Sequence, residues 1–481
     1  MLIMKRSAGV LMHISSLWGD YGCGSFGREA REFIDFLADA GFSYWQVLPF
    51  GMVDECNSPY KSYSAFAGNP YFVDLPSLKD EGLLTDEELS SAKQMTPYSC
   101  EFVRLYHTRC DLLAKAAKRV SDRTKIEEFI KAHPHLEAFS RFMALKKSNS
   151  EKMWRDFDSD AMDEDVIFMW HFIQYKFFTQ WSVIKRYAND RGIKIIGDIP
   201  IYVAYDSADV WANKDQFLLD EDGRPSLVAG VPPDYFSASG QKWGNPLYDW
   251  EKMKSDSFGW WRERISHMLS MFDGIRIDHF RGLESYYAIP EKDPDARNGK
   301  WMKGPGREFI DVIKECAKDK LIIAEDLGDV TKEVTDLVSY SGFPGMRVLQ
   351  FGFISEDDNP HLPHNYENNS VAYTGTHDNN TLLGFVWELD DNLRKRLMRY
   401  SGYDSENWDR GYDSIIRTMY ESHAGLVILP IQDLLGYGSD TRLNIPGKAD
   451  GNWQYRVTKD QLCSIDKGKY KSWLELYKRV K

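Results

Sequence analysis

The residues best suited to catalysis in this 481-residue chain are three carboxylates, Asp278, Glu325 and Asp378. Each follows a short apolar run of the kind that forms a buried strand, and each stands where a polar loop begins. In a (β/α)8 barrel the carboxyl ends of all strands converge on one face, so acids distant in sequence can meet there. A fourth carboxylate, Asp198, ends another such run. This placement predicts an active site at the mouth of a barrel.

Carboxylates in this arrangement could break and remake glycosidic bonds. Displacement at an anomeric carbon with retention needs one carboxylate that attacks the carbon and one protonated carboxyl that serves the leaving oxygen. Asp278 suits the first role because it is short, and because Arg276, two residues upstream on the same strand face, would favour its ionised form. Glu325 is longer and suits the second role. Asp378 could stabilise the charge that develops on the sugar ring, with His377 donating to a hydroxyl.

Each of these residues also has an ordinary structural explanation. A single aspartate after a strand is most often a helix N-cap or a turn residue. Arg276 could simply pair with Asp278, and His377 could be a hydrogen-bonded core residue. The catalytic interpretation is favoured because the residues occur together, each at the end of a predicted strand.

Helical and strand patterns alternate along the chain. Amphipathic helical patterns cover 27–39, 172–189, 258–271 and 307–318. The predicted strands are 44–49, 194–198, 274–278, 321–325, 346–350, 371–374 and 426–430, with a short eighth strand at 71–73. Alternation of helix and strand implies parallel pairing. The pattern therefore predicts an α/β fold, a (β/α)8 TIM barrel.

Two segments do not fit the barrel repeat. Residues 76–165 are charged and show helical periodicity, which predicts a mostly helical insertion subdomain. Residues 202–250 are rich in Gly, Pro, Asp and aromatics, which predicts a loop-rich insertion that covers the active site. Barrels with insertions reach this length as one unit, so we expect a single decorated catalytic domain, 1–481, with both insertions at the C-terminal face.

The composition argues against several classes of partner. The net charge of −13, without a long Lys/Arg block, argues against nucleic acid. No apolar stretch approaches the roughly 20 residues that span a bilayer, and residues 1–10 are too short and polar for a secretory signal. We therefore expect no membrane association and a cytoplasmic location. The six cysteines are scattered without a CxxC pair, which predicts free thiols and no metal site.

Several long motifs carry a resemblance to a known family. They are FDGIRIDHFRG (272–282), IAEDLG (323–328), TGTHDN (374–379), NSPYKSYSAFAGNP (57–70), AGVPPDYF (229–236) and QKWGNP (241–246). With these motifs, in this order, the chain resembles the 4-α-glucanotransferases, the amylomaltase or disproportionating enzymes, which are relatives of the α-amylases. The resemblance covers almost the whole chain.

The resemblance implies a retaining enzyme that moves α-1,4-glucan segments between maltooligosaccharides. It implies that Asp278 is the nucleophile, Glu325 the acid/base and Asp378 the transition-state stabiliser, which agrees with the roles inferred from the strand ends. It implies no cofactor, and no obligate protein partner is evident.

The resemblance also implies a set of substrate-binding residues. They are Ser58, Tyr60, Asp198, Asp234, Trp243, Arg276, His377 and Asn444. Asp198 and Arg276 would help line the donor sugar site, and His377 would touch the same sugar. Tyr60 and Trp243 would stack against glucosyl rings, although core packing is the alternative for Tyr60.

Two departures from family patterns affect the expectation. The run 199–203 lacks the Asn-His that amylases commonly carry after the acid that corresponds to Asp198, which favours a transferase over an amylase. Ile445 stands where the family usually has Thr, so fine acceptor contacts should differ while the chemistry should not.

Three alternatives stay open at this level. The first is a hydrolase of α-1,4-glucans, which shares the glycosyl-enzyme intermediate and differs in whether water or a sugar hydroxyl attacks it. The second is a catalytically silent glucan-binding protein on a barrel, since fold does not fix function. The third is a phosphate-substrate barrel enzyme, for which 435–438 offers only a faint Gly-containing loop.

Overall fold

A closed barrel of parallel strands lies at the centre of the computed structural model, which describes residues 4–53, 56–233, 237–404, 408–448 and 450–480. The strands are β1 (Ser7–Leu11), β2 (Tyr44–Gln46), β3 (Lys194–Ile199), β4 (Leu227–Val231), β5 (Gln241–Pro246), β6 (Gly274–Ile277), β7 (Ser285–Pro290), β8 (Lys300–Lys303), β9 (Leu321–Ala324), β10 (Gly345–Val348), β11 (Ser370–Tyr373) and β12 (Leu426–Pro430). The order around the barrel is β1-β12-β11-β10-β9-β6-β3-β2, and every neighbouring pair is parallel. The predicted (β/α)8 fold is confirmed.

The barrel strands read as continuous apolar runs because helices cover their outer faces and side chains fill their inner faces. Every residue of β6, β11 and β12 is buried. All seven main predicted strands are present, with ends that differ by at most three residues. The carboxyl ends of β3, β6 and β9 are therefore fixed next to one another, which decides where the acids lie.

The predicted eighth strand at 71–73 is wrong, and β1 takes its place. β1 pairs with both β12 and β2 and so closes the barrel. Residues Pro70–Phe72 instead form a 3-10 turn, because Pro70 lacks an N–H and the Asn69 side chain accepts from the Tyr71 N–H at 2.9 Å. Gly9 permits the close approach of β1 to β2, since a Cβ there would lie 2.7 Å from the Tyr44 Cβ.

Helices surround the barrel and fill the first insertion. They are α1 (Arg28–Asp39), α2 (Leu75–Asp80), α3 (Asp86–Ser91), α4 (Phe102–Lys118), α5 (Thr124–Lys131), α6 (Pro134–Ser148), α7 (Glu164–Asp190), α8 (Ala208–Ala212), α9 (Trp250–Ser255), α10 (Gly259–Met271), α11 (Gly306–Ala317), α12 (Lys332–Ser341), α13 (Leu382–Glu388), α14 (Asp391–Tyr400), α15 (Trp408–Glu421), α16 (Ile431–Leu435), α17 (Lys459–Ser464) and α18 (Lys467–Leu476). The four predicted barrel helices correspond to α1, α7, α10 and α11. Helix α7 begins earlier than predicted because Asp163 caps it through the Asp165 N–H at 2.9 Å.

The segment 202–250 is more regular than its composition suggests. It contains β4 and β5, which join β7 and β8 in an antiparallel sheet of order β5-β4-β7-β8 beside the barrel. A shift in register between Val228 and Gly230 interrupts the β4–β5 pairing, and a Cβ on Gly230 would lie 2.2 Å from the Gln241 carbonyl oxygen. Glycine at such a bulge hides the strand pattern in the sequence.

Among the described helices, none has the length and apolar character needed to cross a lipid bilayer.

Candidate active site

An open cleft lies over the carboxyl ends of the barrel strands. Nine of the eleven predicted site residues line it: Ser58, Tyr60, Trp243, Arg276, Asp278, Glu325, His377, Asp378 and Asn444. Asp198 lies behind this lining and is fully buried. Asp234 lies outside the described residues. The structure thus brings together three acids, Asp278, Glu325 and Asp378, that span 100 residues of the sequence.

Asp278 and Glu325 are neighbours across two adjacent strands. Ile277 at the end of β6 is paired in register with Ala324 at the end of β9, so the two acids occupy the next position on each strand. Adjacent strands lie about 4.8 Å apart. Backbone hydrogen bonds continue past the strand ends, from the Asp278 N–H to the Ile199 carbonyl at 3.0 Å and from the Glu325 N–H to the Ile277 carbonyl at 3.1 Å. The backbone of both acids is therefore held in the sheet.

Arg276 connects Asp278 to the buried Asp198. Its Nη1 lies 2.8 Å from both oxygens of Asp198, and its Nη2 lies 2.8 Å from Asp278 Oδ1. Burial alone would lower the pKa of Arg276, but the two carboxylates outweigh it and raise that pKa above its usual value. The guanidinium therefore holds the Asp278 side chain, which is 28% exposed to the cleft, through a direct charged contact.

Glu325 is held as an acid by its surroundings. Burial raises the pKa of its carboxyl from 4.5 to about 8, and the neighbouring Asp278 adds to the rise. Arg276 and a 2.7 Å hydrogen bond from the His279 N–H to Glu325 Oε2 oppose it. The Leu327 N–H donates to the other oxygen at 3.2 Å. At neutral pH the carboxyl therefore carries a proton, as a general acid requires.

Asp378 has the opposite electrostatic setting. Burial alone would raise its pKa, but His377, Asn444 and Arg276 together lower it to about 2. His377 Nε2 lies 3.3 Å from Oδ2, and Asn444 Nδ2 donates to Oδ1 at 2.6 Å. Arg442 donates to the Asp378 carbonyl at 2.6 Å and fixes the backbone. Asp378 therefore stays ionised and points into the cleft from the β11 side.

Aromatic rings form one wall of the cleft. Tyr60 stacks on His377 with 5.0 Å between ring centroids and an interplanar angle of 18°. The Tyr60 hydroxyl donates to Asp198 Oδ2 at 2.7 Å, so its position is tied to the Arg276 network. The Ser58 Oγ accepts from the Tyr60 N–H at 3.3 Å. This wall is built around the same buried aspartate that holds Arg276.

Residues of β5 form a second part of the cleft wall. Trp243 Nε1 donates to Gln241 Oε1 at 3.1 Å, and its ring meets the His279 ring edge-on at 5.0 Å. Asn245 donates to the Val203 carbonyl at 2.8 Å and ties β5 to the chain that leaves β3. Within the described residues, no cluster of three or more His, Cys, Asp or Glu side chains is arranged to hold a metal ion.

Comparison with known proteins identifies the family. The family model described as "4-alpha-glucanotransferase" matches residues 12–461. The chain belongs to the 4-alpha-glucanotransferase family. The 4-alpha-glucanotransferase of Streptococcus pneumoniae serotype 4 is 42% identical, over 99% of this chain and 98% of its own length. That of Synechocystis is also 42% identical, over 99% of both chains.

A solved structure supports the same assignment. The amylomaltase from Streptococcus agalactiae, determined in complex with acarbose, superposes with a TM-score of 0.95 at 37% identity and covers 99% of this chain and 100% of that one. The enzyme class predicted from the sequence, a 4-α-glucanotransferase, is confirmed.

The cleft residues of the glucanotransferase that the sequence does not single out include His279, Gln241 and Trp453. Trp453 lies 5.9 Å, centroid to centroid, from both Tyr60 and His377 and so completes the aromatic wall. Nothing in the local sequence distinguishes it from a core tryptophan. His279 directly follows Asp278, and that adjacency is the signal that could have marked it.

Proposed function

We propose that this 4-α-glucanotransferase transfers α-1,4-glucan segments between maltooligosaccharides by a retaining double displacement. Asp278 is the nucleophile, Glu325 the acid/base and Asp378 the transition-state stabiliser. The observation that carries the proposal is the contrast between neighbouring carboxyls. Arg276 pairs with Asp278 at 2.8 Å, while burial keeps Glu325, one strand away, protonated with a pKa of about 8.

In the first displacement an Asp278 oxygen bonds to the anomeric carbon as the glycosidic C–O bond breaks. The leaving oxygen takes the proton of Glu325. Asp378, ionised and held by His377 and Asn444, stabilises the positive charge that develops on the ring. In the second displacement Glu325 removes the proton of an acceptor 4-hydroxyl, whose oxygen bonds to the anomeric carbon as the Asp278 ester breaks. Two inversions at one carbon give net retention.

Transfer requires that an acceptor sugar reach the ester before water does. Bound in the cleft, an acceptor has an effective concentration that free water at about 55 M does not match. We propose that the segment 202–250 covers the site, since Gln241 and Trp243 of β5 already form one wall of the cleft. The Asn444 loop approaches from the other side through its contact with Asp378. Ser58, Tyr60 and Arg276 complete the proposed substrate-binding set.

Asp198 takes a different place in this proposal from the one that family resemblance implies. Because it is fully buried and bonded to Arg276 and Tyr60, we propose that it positions those two side chains instead of touching sugar.

Covalent trapping tests the assignment. Glu325→Gln is incubated with α-maltosyl fluoride, whose fluoride leaves with little need of a proton donor, so the first displacement proceeds and the second stalls. We expect intact-mass spectrometry to show one added maltosyl unit, and peptide mapping to place it on Asp278. Asp278→Asn should show no adduct. Glu128→Gln, an exposed position on α5, should turn over as the native protein does.

An adduct on another carboxylate would overturn the assignment of the nucleophile, and a β-configured product would overturn retention. A second assay separates transfer from hydrolysis in the native protein. With maltotriose alone, we expect free glucose and longer oligosaccharides to appear while the total of reducing ends stays constant. A parallel rise in reducing ends would show hydrolysis.

A further inference from the structure

We propose that His279 is a positioning residue for the acid/base, and that its left-handed backbone conformation is what aims its N–H at Glu325. The inference rests on the proposed role of Glu325. It also assigns the His279 ring a second task, to hold Trp243 in the wall of the cleft.

The backbone at His279 turns sharply where β6 ends. Its φ of 50° and ψ of 48° lie in the left-handed region, which a residue with a side chain seldom adopts. The preceding Asp278 N–H is still bonded in the sheet at 3.0 Å, to Ile199, and the chain then leaves the strand at once. Uncommon backbone conformations of this kind are retained where the surroundings require them, and they cluster at active sites.

The turn directs two successive N–H groups at one residue. The His279 N–H donates to Glu325 Oε2 at 2.7 Å, and the Phe280 N–H donates to the Glu325 carbonyl at 3.1 Å. The side chain and the backbone of Glu325 are therefore both fixed from the loop that carries the nucleophile. If φ at residue 279 became negative while the flanking chain kept its path, the 278–279 peptide would have to flip, and its N–H would turn away from Oε2.

The ring of His279 is held as firmly as its backbone. It is 9% exposed and meets Trp243 edge-on at 5.0 Å and 85°. On its other side a Cβ on Gly282 would lie 2.9 Å from His279 Cδ2, so glycine is needed to leave room. Burial lowers the pKa of the ring to about 4, which keeps it neutral beside the cleft. The ring thus packs between the barrel loop and the wall formed by β5.

Substitutions separate the two tasks. His279→Gly keeps the N–H and adopts a left-handed conformation freely but removes the ring. His279→Val is β-branched and disfavours that conformation, so it displaces the N–H. Ser150→Val is the matched control, because Ser150 has a φ of 54° at an exposed position after α6, away from the cleft residues.

The pH dependence of kcat/KM is the readout. The groups that face Glu325 are Arg276 on β6, Asp278 directly after β6 and Asp326 on the loop of Glu325 itself, and none of them is altered. The lost N–H stabilised the carboxylate, so in His279→Val we expect the alkaline limb to move up by about one pH unit and kcat to fall at least about tenfold. In His279→Gly the limb should stay in place, while the KM for the acceptor rises about three- to tenfold.

Several results would overturn the inference. One is an unshifted limb in His279→Val, and another is an equal shift in His279→Gly. If His279→Val does not fold by circular dichroism, His279→Ala replaces it, and an unshifted limb there has the same meaning. If His279 had a merely structural role, His279→Val would have a lower thermal midpoint but an unmoved alkaline limb. This is the result that we expect for Ser150→Val. Failure of the trapping experiment on Glu325→Gln would instead remove the proposed function, so the two failures are distinguishable.

Discussion

The unusual protonation of Glu325 should make the folded protein less stable as the pH rises. Burial raises the pKa of its carboxyl from 4.5 to about 8, so between these pH values the folded protein holds a proton that the unfolded chain releases. The free energy of unfolding must then fall with increasing pH over that window. Below about pH 4.5 the carboxyl is neutral in both states and the penalty is absent; above about pH 8 the penalty is complete. Glu325→Gln removes the titration and should become relatively more stable.

The size of the effect follows from the two pKa values. Each pH unit between them costs the folded state ~1.4 kcal/mol, so the full penalty is on the order of 3 to 5 kcal/mol. For 481 residues, an unfolding entropy of about 2 cal/mol/K per residue makes 1 kcal/mol equivalent to a shift of about 1 °C in the thermal midpoint. The difference in thermal midpoint between Glu325→Gln and the native protein should therefore increase by about 4 °C, in favour of the variant, from pH 5 to pH 9.

Differential scanning calorimetry at five pH values measures this difference directly. Other carboxylates titrate equally in both proteins and cancel. Glu128→Gln, on the exposed face of α5, serves as the control and should differ from the native protein by a constant amount. A difference for Glu325→Gln that stays constant within about 1 °C from pH 5 to 9 would refute the raised pKa, and with it the claim that Glu325 is protonated at neutral pH.

Two further predictions concern the groups around the acids. Asp198→Asn should lower the free energy of unfolding by about 2 kcal/mol, because it weakens the buried contact with Arg276. It should also reduce kcat more than it changes KM, because Asp198 does not line the cleft. Steady-state kinetics in which KM carries the larger change would contradict this placement. Asn444→Leu removes the 2.6 Å hydrogen bond that helps to lower the pKa of Asp378. The acidic limb of the plot of kcat/KM against pH should therefore move to higher pH. An unmoved limb would show that Asn444 does not lower that pKa.

The barrel could be read from the sequence because most of its strands are buried on both faces. Runs such as β12, with five buried residues, are long and apolar enough to stand out. β1 is missed because Gly9 interrupts a short run whose partners, β2 and β12, are distant in sequence. β4 and β5 are missed because their residues pair across a glycine bulge, so no alternating pattern forms. In both cases the segment forms a strand because of its pairing with neighbouring strands and not because of its local propensity.

The site was predicted as a set of residue types, and the structure adds what each type contacts. The sequence indicates that Arg276 and Asp278 share a strand face, and their 2.8 Å contact agrees with that spacing. It does not indicate that Asp198 accepts from both Arg276 and Tyr60 and is thereby shut away from the cleft. Nor does it show the left-handed turn at His279. Both features depend on elements that are adjacent only after the barrel closes.

The chemical difference between the two neighbouring acids is a property of their contacts and not of their residue types. Arg276 stands on the same strand as Asp278, two residues before it, so its guanidinium touches that carboxylate directly and meets Asp198 on the neighbouring strand. Glu325 accepts from backbone N–H groups and is influenced by Arg276 without an ion pair to it, so the effect of its burial is only partly offset. Exchanging Asp and Glu between positions 278 and 325 should therefore leave the raised pKa at position 325, and the pH dependence of the thermal midpoint would show this. In the proposed mechanism, the acid that follows the strand carrying the arginine is the one that attacks.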